Sequence, residues 1–342
     1  MKCRVPRALL FFLGIAGQVL AQSLNSETSP ANYIYFGLDR DRIAEAEFLS
    51  NKSVIGAQLK YTWRELEPER DTYALDAINR DLESLERHGK RLFIQLQDVS
   101  FDTSIVNVPD YLVDDPEFNG GAALHTDGYD ESGRPIVEGW VARRWDPAVR
   151  ERIAGLLEAV ATEFDGRIAG VNLAETAIGF GRYPDLHPPG YSYEAYYEGI
   201  KELMSLARET FSESDVIMYA NFMPGEELPD SDRGYLKGVY AHADRIGVGV
   251  GGPDLLPNRW YQRQHSLPLI AARAPGTVAG VAVQWGNLED TNRQTGERVT
   301  VEKLYDFARD ELRLDYIFWG TQEPFYSADI LPFLENLDSA SR

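Results

Sequence analysis

Residues 54–97 read VIGAQLKYTWRELEPERDTYALDAINRDLESLERHGKRLFIQLQ. The stretch begins with a β-rich run, Val54 to Lys60, and ends with another, Arg91 to Gln97. Between them, Ala74 to His88 carries apolar residues at helical spacing. A strand, a helix and a second strand in this order form a unit with parallel strands and a right-handed crossover. The stretch therefore predicts an α/β fold.

The same alternation continues along the chain. Eight β-rich runs occur, at Tyr33 to Leu38, Val54 to Lys60, Arg91 to Gln97, Ile168 to Leu173, Val216 to Asn221, Arg245 to Val250, Val278 to Gln284 and Asp315 to Gly320. The clearest helical patterns lie at Ala74 to His88, Ala148 to Phe164, Tyr193 to Phe211 and Val301 to Leu312. Eight units predict a single-domain (β/α)8 TIM barrel over residues 22–342. An open doubly wound sheet usually has a glycine-rich phosphate turn after its first strand, and Gly37-Leu38-Asp39-Arg40 is no such turn.

The longest irregular stretch follows the third β-rich run. Asp98 to Asp146 is rich in Gly, Asp and Pro, but it also contains several hydrophobic residues, including Trp140 and Trp145. Such a composition favours an ordered loop over a disordered insertion. In a barrel, this loop is expected over the carboxyl-terminal mouth, where the loops after the strands form the site.

The first 21 residues are typical of a cleavable signal peptide. Lys2, Arg4 and Arg7 precede an apolar run from Ala8 to Leu20, and a small residue, Ala21, ends it. We therefore expect export to the periplasm or the outside of the cell. The one cysteine, Cys3, lies in this leader, so the mature chain is expected to form no disulfide.

Composition excludes several classes of partner. The formal net charge of the chain is −20, so the surface should repel nucleic acid and anionic membranes. After the leader, no stretch reaches the roughly 20 apolar residues that a transmembrane helix needs. With 44% hydrophobic residues, the chain can form a sizeable core.

Two motifs resemble a known group of enzymes. The phrase Trp63-x-x-Leu66-Glu67-Pro68, followed by an aromatic residue, a helix and Gly89-Lys90, resembles the second βα unit of clan A glycoside hydrolases. The families of β-galactosidase and cellulase type are the most similar in character. The fourth run, Gly170 to Thr176, resembles the strand that carries the acid/base glutamate of that clan. The resemblance implies a retaining hydrolase with one glutamate after strand four and a second after strand seven.

Glu175 fits the first of these roles. Glycosidic cleavage needs a carboxylic acid that protonates the leaving oxygen, and burial can keep its proton near neutral pH. The chain departs from the clan at two positions: Ala174 stands where an Asn is usual, and Gln284 stands where the nucleophile is expected. An amide cannot attack as a carboxylate does. Gln284 is therefore expected to orient the sugar.

Three other carboxylates follow predicted strands and are candidates for the second catalytic role. They are Asp98 after strand three, Glu289 after strand seven and Glu323 after strand eight. Each could equally be a surface or salt-bridging residue. The separation between Glu175 and its partner would decide between retention and inversion.

Aromatic and polar residues at strand ends are candidates for sugar binding. Flat aromatic faces stack on pyranose rings, and the candidates for this are Tyr61, Trp63, Trp285 and Trp319, the last resembling the clan's strand-eight Trp. Candidates for hydrogen bonding to hydroxyls are Gln97, Asn172 and Asn221. Candidates for binding a uronic acid carboxylate are Lys60, Arg143 and Arg144. Core packing or solvated surface explains each of them individually.

No metal or cofactor is expected. The five histidines, His88, His125, His187, His242 and His265, show no ligand spacing, and no cysteine accompanies them. The sequence has neither a Gly-x-Ser-x-Gly elbow nor a Walker loop. Acid/base chemistry without a cofactor remains the simplest interpretation.

Three functions remain open at this point. The first is a glycoside hydrolase with a carbohydrate substrate, and the second is a barrel that binds carbohydrate without cleaving it. The third is a polysaccharide lyase that acts on a uronic acid polymer. The sugar, its linkage, endo or exo action and the oligomeric state are also left open by the sequence.

Overall fold

Eight parallel strands close into one barrel in the computed structural model, which describes residues 29–340. The predicted signal peptide and Cys3 lie outside the described residues. The barrel strands are β1 (Ala31–Gly37), β2 (Val54–Thr62), β3 (Arg91–Gln97), β6 (Gly170–Leu173), β7 (Asp215–Tyr219), β8 (Gly249–Gly252), β9 (Ala279–Val283) and β10 (Tyr316–Gly320). Neighbours in the barrel follow the chain order, and β10 pairs with β1 to close it. The predicted (β/α)8 TIM barrel is confirmed.

Helices surround the barrel, and local sequence determines where the long ones begin. They are α1 (Ala46–Ser50), α2 (Trp63–Leu66), α3 (Asp76–Glu86), α4 (Asp110–Asp114), α5 (Pro147–Phe164), α6 (Tyr193–Thr210), α7 (Tyr235–Ile246), α8 (Ser266–Ala272), α9 (Val301–Asp306) and α10 (Leu331–Ala340). Asp146 caps α5 by accepting from the Ala148 amide at 2.9 Å, and Pro147 occupies the first helical position. Ser192 caps α6 in the same way. No helix within residues 29–340 is long and apolar enough to cross a membrane.

Each of the eight predicted runs overlaps a barrel strand, but the sixth is displaced. The run was expected at Arg245 to Val250, whereas α7 continues through Ile246 and β8 begins at Gly249. Gly247 ends the helix in a left-handed conformation, with φ of 72°. A glycine is favoured at this position because it has no side chain to clash.

The inside of the barrel is apolar at one end and polar at the other. Near the amino-terminal ends of the strands, aromatic rings fill the interior, and Phe93 and Phe318 meet edge to face with centroids 5.0 Å apart. Towards the carboxyl ends, the buried amide of Gln58 donates to Asn172 at 3.0 Å and to the Tyr219 hydroxyl at 3.2 Å. The aromatic layer closes the barrel, and the polar layer forms the floor of its mouth.

The segment from Asp98 to Asp146 lies at the carboxyl-terminal mouth, as predicted. It contains α4 and a hairpin of two antiparallel strands, β4 (Ala122–Tyr129) and β5 (Pro135–Ala142), that the sequence analysis did not predict. The Thr126 amide in β4 donates to the Gly179 carbonyl at 2.8 Å. Since Gly179 lies in the loop after β6, the hairpin must lie on the same face of the barrel.

Two adjacent glycines in β8 differ in the space around them. A Cβ on Gly251 would lie 1.8 Å from the carbonyl oxygen of Gly280, whereas a Cβ on Gly252 would meet nothing closer than 3.8 Å. We expect Gly251→Ala to lower the free energy of unfolding by about 2 kcal/mol or more, because the backbone of a close-packed barrel must move. Gly252→Ala, the matched control, should change it by less than about 1 kcal/mol. Urea denaturation of both variants checks this, and equal midpoints would contradict it.

Candidate active site

Glu175 lies just after β6 at the mouth of the barrel. Its side chain is recessed but still reached by solvent, and its Oε2 accepts from Asn221 Nδ2 at 2.8 Å. Burial is the largest effect on its pKa and raises it to about 7, and the charge of Asp254 acts in the same direction. The hydrogen bond from Asn221 and the charges of Arg144 and Lys60 act in the opposite direction. Glu175 therefore holds a proton near neutral pH.

Asp254, just after β8, is a carboxylate whose charge raises the pKa of Glu175. The sequence analysis did not identify it. Burial raises its pKa, and a 2.8 Å hydrogen bond from Asn287 Nδ2 to its Oδ1 opposes this. The sequence did contain a signal: Gly251-Gly252-Pro253 comes directly after the sixth β-rich run, and Asp254 follows it.

The two carboxyl groups are held in the same way. Asn221 follows β7, the neighbour of the strand that carries Glu175, and Asn287 follows β9, the neighbour of the strand that carries Asp254. Each asparagine binds one carboxyl oxygen, and within residues 29–340 no hydrogen bond reaches the other oxygen of either group. Each carboxyl group therefore has a fixed orientation and one oxygen free for a substrate. A protonated acid beside a carboxylate is an arrangement suited to acid/base catalysis.

Asp98, a predicted catalytic candidate, is bound in a buried ion pair instead. Both of its oxygens accept from Arg144, at 2.5 and 2.8 Å, and Arg144 is fully buried. Arg144 also donates to the backbone carbonyl of Glu175 at 2.7 Å. The pair therefore supports the loop that carries Glu175, and neither member is free to act on a substrate.

The other two candidate carboxylates do not reach Glu175. Glu323 is exposed and accepts from the Ser327 hydroxyl at 2.6 Å. Glu289 is also exposed and accepts from Gln322 Nε2 at 2.6 Å. Neither is among the groups with the largest effects on the pKa of Glu175.

Three of the four aromatic candidates are buried away from the mouth. The Tyr61 hydroxyl donates to Asp81, the Trp63 indole to Glu67, and the Trp319 indole to Asn32, at 2.7 to 2.9 Å. All three pack in the core between the barrel and its helices. This placement contradicts their predicted role in sugar stacking. For Tyr61 and Trp319 the reason is strand alternation, which turns every second side chain to the outside of the barrel, whereas Trp63 begins α2. Trp285 alone is open to solvent, with 76% of its surface exposed.

Some of the polar candidates are buried and bound to other protein groups, whereas one of them lies at the site. Gln97 and Asn172 are buried and bound to protein groups, Gln97 to the Val99 carbonyl at 2.7 Å and Asn172 to Gln58. Arg143 is buried and donates to the Ala122 and Pro189 carbonyls. In contrast, Asn221 binds Glu175, as described above.

Lys60 lies at the mouth, and its charge lowers the pKa of Glu175. Its ammonium is 5.9 Å from the Tyr35 ring centroid, and within the described part of the chain no carboxylate pairs with it. Gln284 is partly exposed at the end of β9, and its backbone carbonyl accepts from the Asn287 amide at 3.1 Å. Both side chains are thus available at the rim of the site. Residues 29–340 contain no group of three or more metal-ligating side chains placed to hold an ion.

Several solved structures have the same fold. Endo-glycoceramidase II from Rhodococcus sp., in a complex with a cellobiose-like imidazole, aligns over 87% of this chain and 74% of its own, with 12% identity and a TM-score of 0.51. Xylanase 10B from Thermotoga petrophila, in complex with xylobiose, aligns over 85% and 82%, with 13% identity and a TM-score of 0.50. A family 39 glycoside hydrolase from Bacteroides cellulosilyticus aligns over 86% and 56%, with 11% identity and a TM-score of 0.50.

The chain shares the (β/α)8 fold of these glycoside hydrolases. The resemblance to clan A barrels is therefore confirmed at the level of the fold. No protein-family model and no curated protein matches the sequence.

The raised pKa of Glu175 predicts a pH-dependent cost to stability. The pKa rises from 4.5 to about 7 on folding, so between these values the folded state keeps a proton that the unfolded state has released. Stability therefore falls as pH rises through this window. The free energy of unfolding of Glu175→Gln minus that of the wild type should therefore be about 3 kcal/mol larger at about pH 8 than at about pH 4.

Chemical denaturation at both pH values measures this difference. Glu323→Gln, which removes an exposed carboxylate, is the control and should show no such change. If Glu175→Gln has the same effect on stability at both pH values, the carboxyl group has an ordinary pKa.

Proposed function

We propose that this chain is a glycoside hydrolase in which Glu175 is the general acid and Asp254 is the second catalytic carboxylate. The observation that carries this proposal is the pair itself. Two carboxyl groups lie at one barrel mouth, and burial together with the charge of Asp254 raises the pKa of Glu175 to about 7. A carboxylic acid that keeps its proton, with a second carboxyl group at the same mouth, is what glycosidic cleavage needs.

Each group has a defined task in the reaction. Glu175 gives its proton to the glycosidic oxygen as the bond to the anomeric carbon breaks, so the leaving sugar departs as a neutral alcohol. Asp254 either attacks the anomeric carbon or takes a proton from an attacking water. Asn221 and Asn287 hold the two groups in position through the 2.8 Å hydrogen bonds described above.

Asp254 resolves the difficulty raised by Gln284. The resemblance to clan A implied a nucleophile after strand seven, where this chain has an amide. In our proposal the second carboxylate comes from the sixth barrel strand, and Gln284, on the seventh, donates and accepts hydrogen bonds to a sugar hydroxyl. The catalytic pair then lies on strands four and six.

We also propose that the enzyme acts after export, on a carbohydrate outside the cytoplasm. The support for this is the sequence of residues 1–21, with three cationic residues before an apolar run. Mass spectrometry of the protein purified from culture medium or periplasm would show a chain that begins near Gln22. Retention of residues 1–21 would contradict export by cleavage.

A product analysis tests the proposed activity. The purified protein is incubated with soluble neutral and acidic polysaccharides, and both reducing ends and ultraviolet absorbance are recorded. Hydrolysis yields new reducing ends without the absorbance of an unsaturated uronate, whereas a lyase yields both. Binding without either product would indicate a non-catalytic barrel.

Variants of the two carboxylates should differ in their substrate dependence. Glu175→Gln should lower kcat on an unactivated polysaccharide by about 10² to 10⁴, the range for loss of one general acid. Aryl glycosides with good leaving groups scarcely need a proton, so Glu175→Gln should affect them much less. Asp254→Asn should lower the rate on both substrates, because Asp254 acts at the anomeric carbon or its water.

Glu323→Gln is the control and should keep wild-type activity. Equal activity of Glu175→Gln and the wild type on the polysaccharide would refute the role of Glu175. Equal activity of Asp254→Asn and the wild type would refute the role of Asp254.

A further inference from the structure

A cleft of about 650 Å³ opens beside the catalytic pair. It lies between the β4–β5 hairpin and the loops after β6 and β7. Its walls include Phe101, Phe180 and Phe222, and its rim includes Glu227 and Arg233. This volume lies within the usual range of ligand sites.

The cleft is joined to the catalytic pair through Asn221. The Asn221 side chain donates to Glu175 Oε2 at 2.8 Å, and its Oδ1 accepts from the backbone amides of Ala177 and Phe222 at 3.2 and 3.1 Å. Ala177 and Phe222 both line the cleft. The side-chain amide of Asn221 therefore holds both the Glu175 carboxyl group and the part of the cleft wall formed by Ala177 and Phe222.

The far end of the cleft is open to solvent. Glu227, Ser231 and Arg233 are exposed there, and Phe101 on the opposite wall has 55% of its surface exposed. An open end lets a chain continue beyond the bound segment, which a closed pocket would not. Aromatic faces beside polar rims can stack on pyranose rings and bind their hydroxyls.

Exposed aromatic residues continue from the cleft to the other side of the mouth. Phe222 contacts Tyr261, with ring centroids 6.0 Å apart, and the residue before Tyr261, Trp260, is 56% exposed. The loop that carries them is joined to the loop of Trp285 by an ion pair of 2.8 Å between Arg259 and Asp290. These loops follow β8 and β9, on the side of Asp254.

We propose, on the basis of the proposed function, that the enzyme is endo-acting and cleaves within a linear polysaccharide. Sugar residues on one side of the cleavage point lie in the cleft between Phe101 and Phe222. Those on the other side lie along Trp260 and Trp285. The catalytic pair meets the chain between these two regions, so no chain end is needed.

The time course of depolymerisation tests this proposal directly. Xylan, mixed-linkage β-glucan, galactomannan and polygalacturonate are the substrates, and viscosity and reducing ends are measured together. An endo-acting enzyme lowers the viscosity of its substrate steeply while few reducing ends have formed, and its first products have mixed lengths. Release of only one small sugar from the start, with little change in viscosity, would overturn the inference while leaving the proposed function intact.

Variants on the same loop separate cleft binding from a general effect. Phe101→Ala should lower kcat/KM on the polymer about 2- to 10-fold, the range for loss of one aromatic contact. It should leave kcat/KM on a short aryl glycoside unchanged. Ile105→Ala is the matched control, since Ile105 is 46% exposed on the same loop but does not line the cleft.

Two results would contradict the inference. One is equal polymer kinetics for Phe101→Ala and Ile105→Ala, because the cleft would then bind no sugar. The other is an equal loss for Phe101→Ala on polymer and aryl glycoside, which would indicate damage to the catalytic centre. If the wild type cleaves none of the four polymers, the proposed function fails, and this inference fails with it.

Discussion

The arrangement of the mouth depends on the hydrogen bonds of the Asn221 side chain. Its amide nitrogen holds Glu175, and its oxygen holds the backbone at the start of two loops, through Ala177 and Phe222. A single side chain thus sets the orientation of the acid and the position of the cleft beside it. Because Asn221 is itself buried at the end of β7, the barrel strand determines where all of these groups lie.

The charges around Glu175 are arranged so that its proton is kept. A free guanidinium beside Glu175 would favour the ionised carboxylate, but the nearby Arg144 is matched by Asp98 in a buried bidentate pair. Arg144 and Lys60 still lower the pKa of Glu175, and Asp254 contributes a negative charge that opposes them. Burial then dominates, and the pKa of Glu175 rises to about 7. The ion pair of Asp98 and Arg144 therefore serves the site indirectly, by supporting the loop that carries Glu175.

The fold was predictable because its signal repeats. Eight β-rich runs alternate with helical patterns, and each run overlaps a barrel strand. Glu175 and Asn221 could also be singled out from the sequence, since both follow clear strands, and the structure brings their side chains within 2.8 Å. The hairpin in residues 98–146 was missed because its strands, β4 and β5, carry exposed polar and apolar residues without a clean alternation.

The rest of the site could not be read from strand ends alone. Tyr61 and Trp319 lie in the right strands but point outward, and a one-residue difference in register decides this. Trp63 lies in α2, after β2. Asp254 was missed for another reason: the resemblance directed attention to strand seven, whereas the second carboxylate that we propose follows strand six. The pairing of Arg144 with Asp98 joins residues 46 positions apart, and only the folded chain brings them together.

The most direct test of the account is a titration of the Glu175 carboxyl group itself. Infrared difference spectra of the wild type against Glu175→Gln, recorded as a function of pH, isolate the carbonyl band of the protonated acid. We predict that this band disappears with a midpoint near pH 7, and that in an Asp254→Asn background the midpoint moves to lower pH, because a negative charge has been removed. A midpoint near 4.5, the ordinary value of a glutamic acid, would contradict the assignment of Glu175 as the general acid.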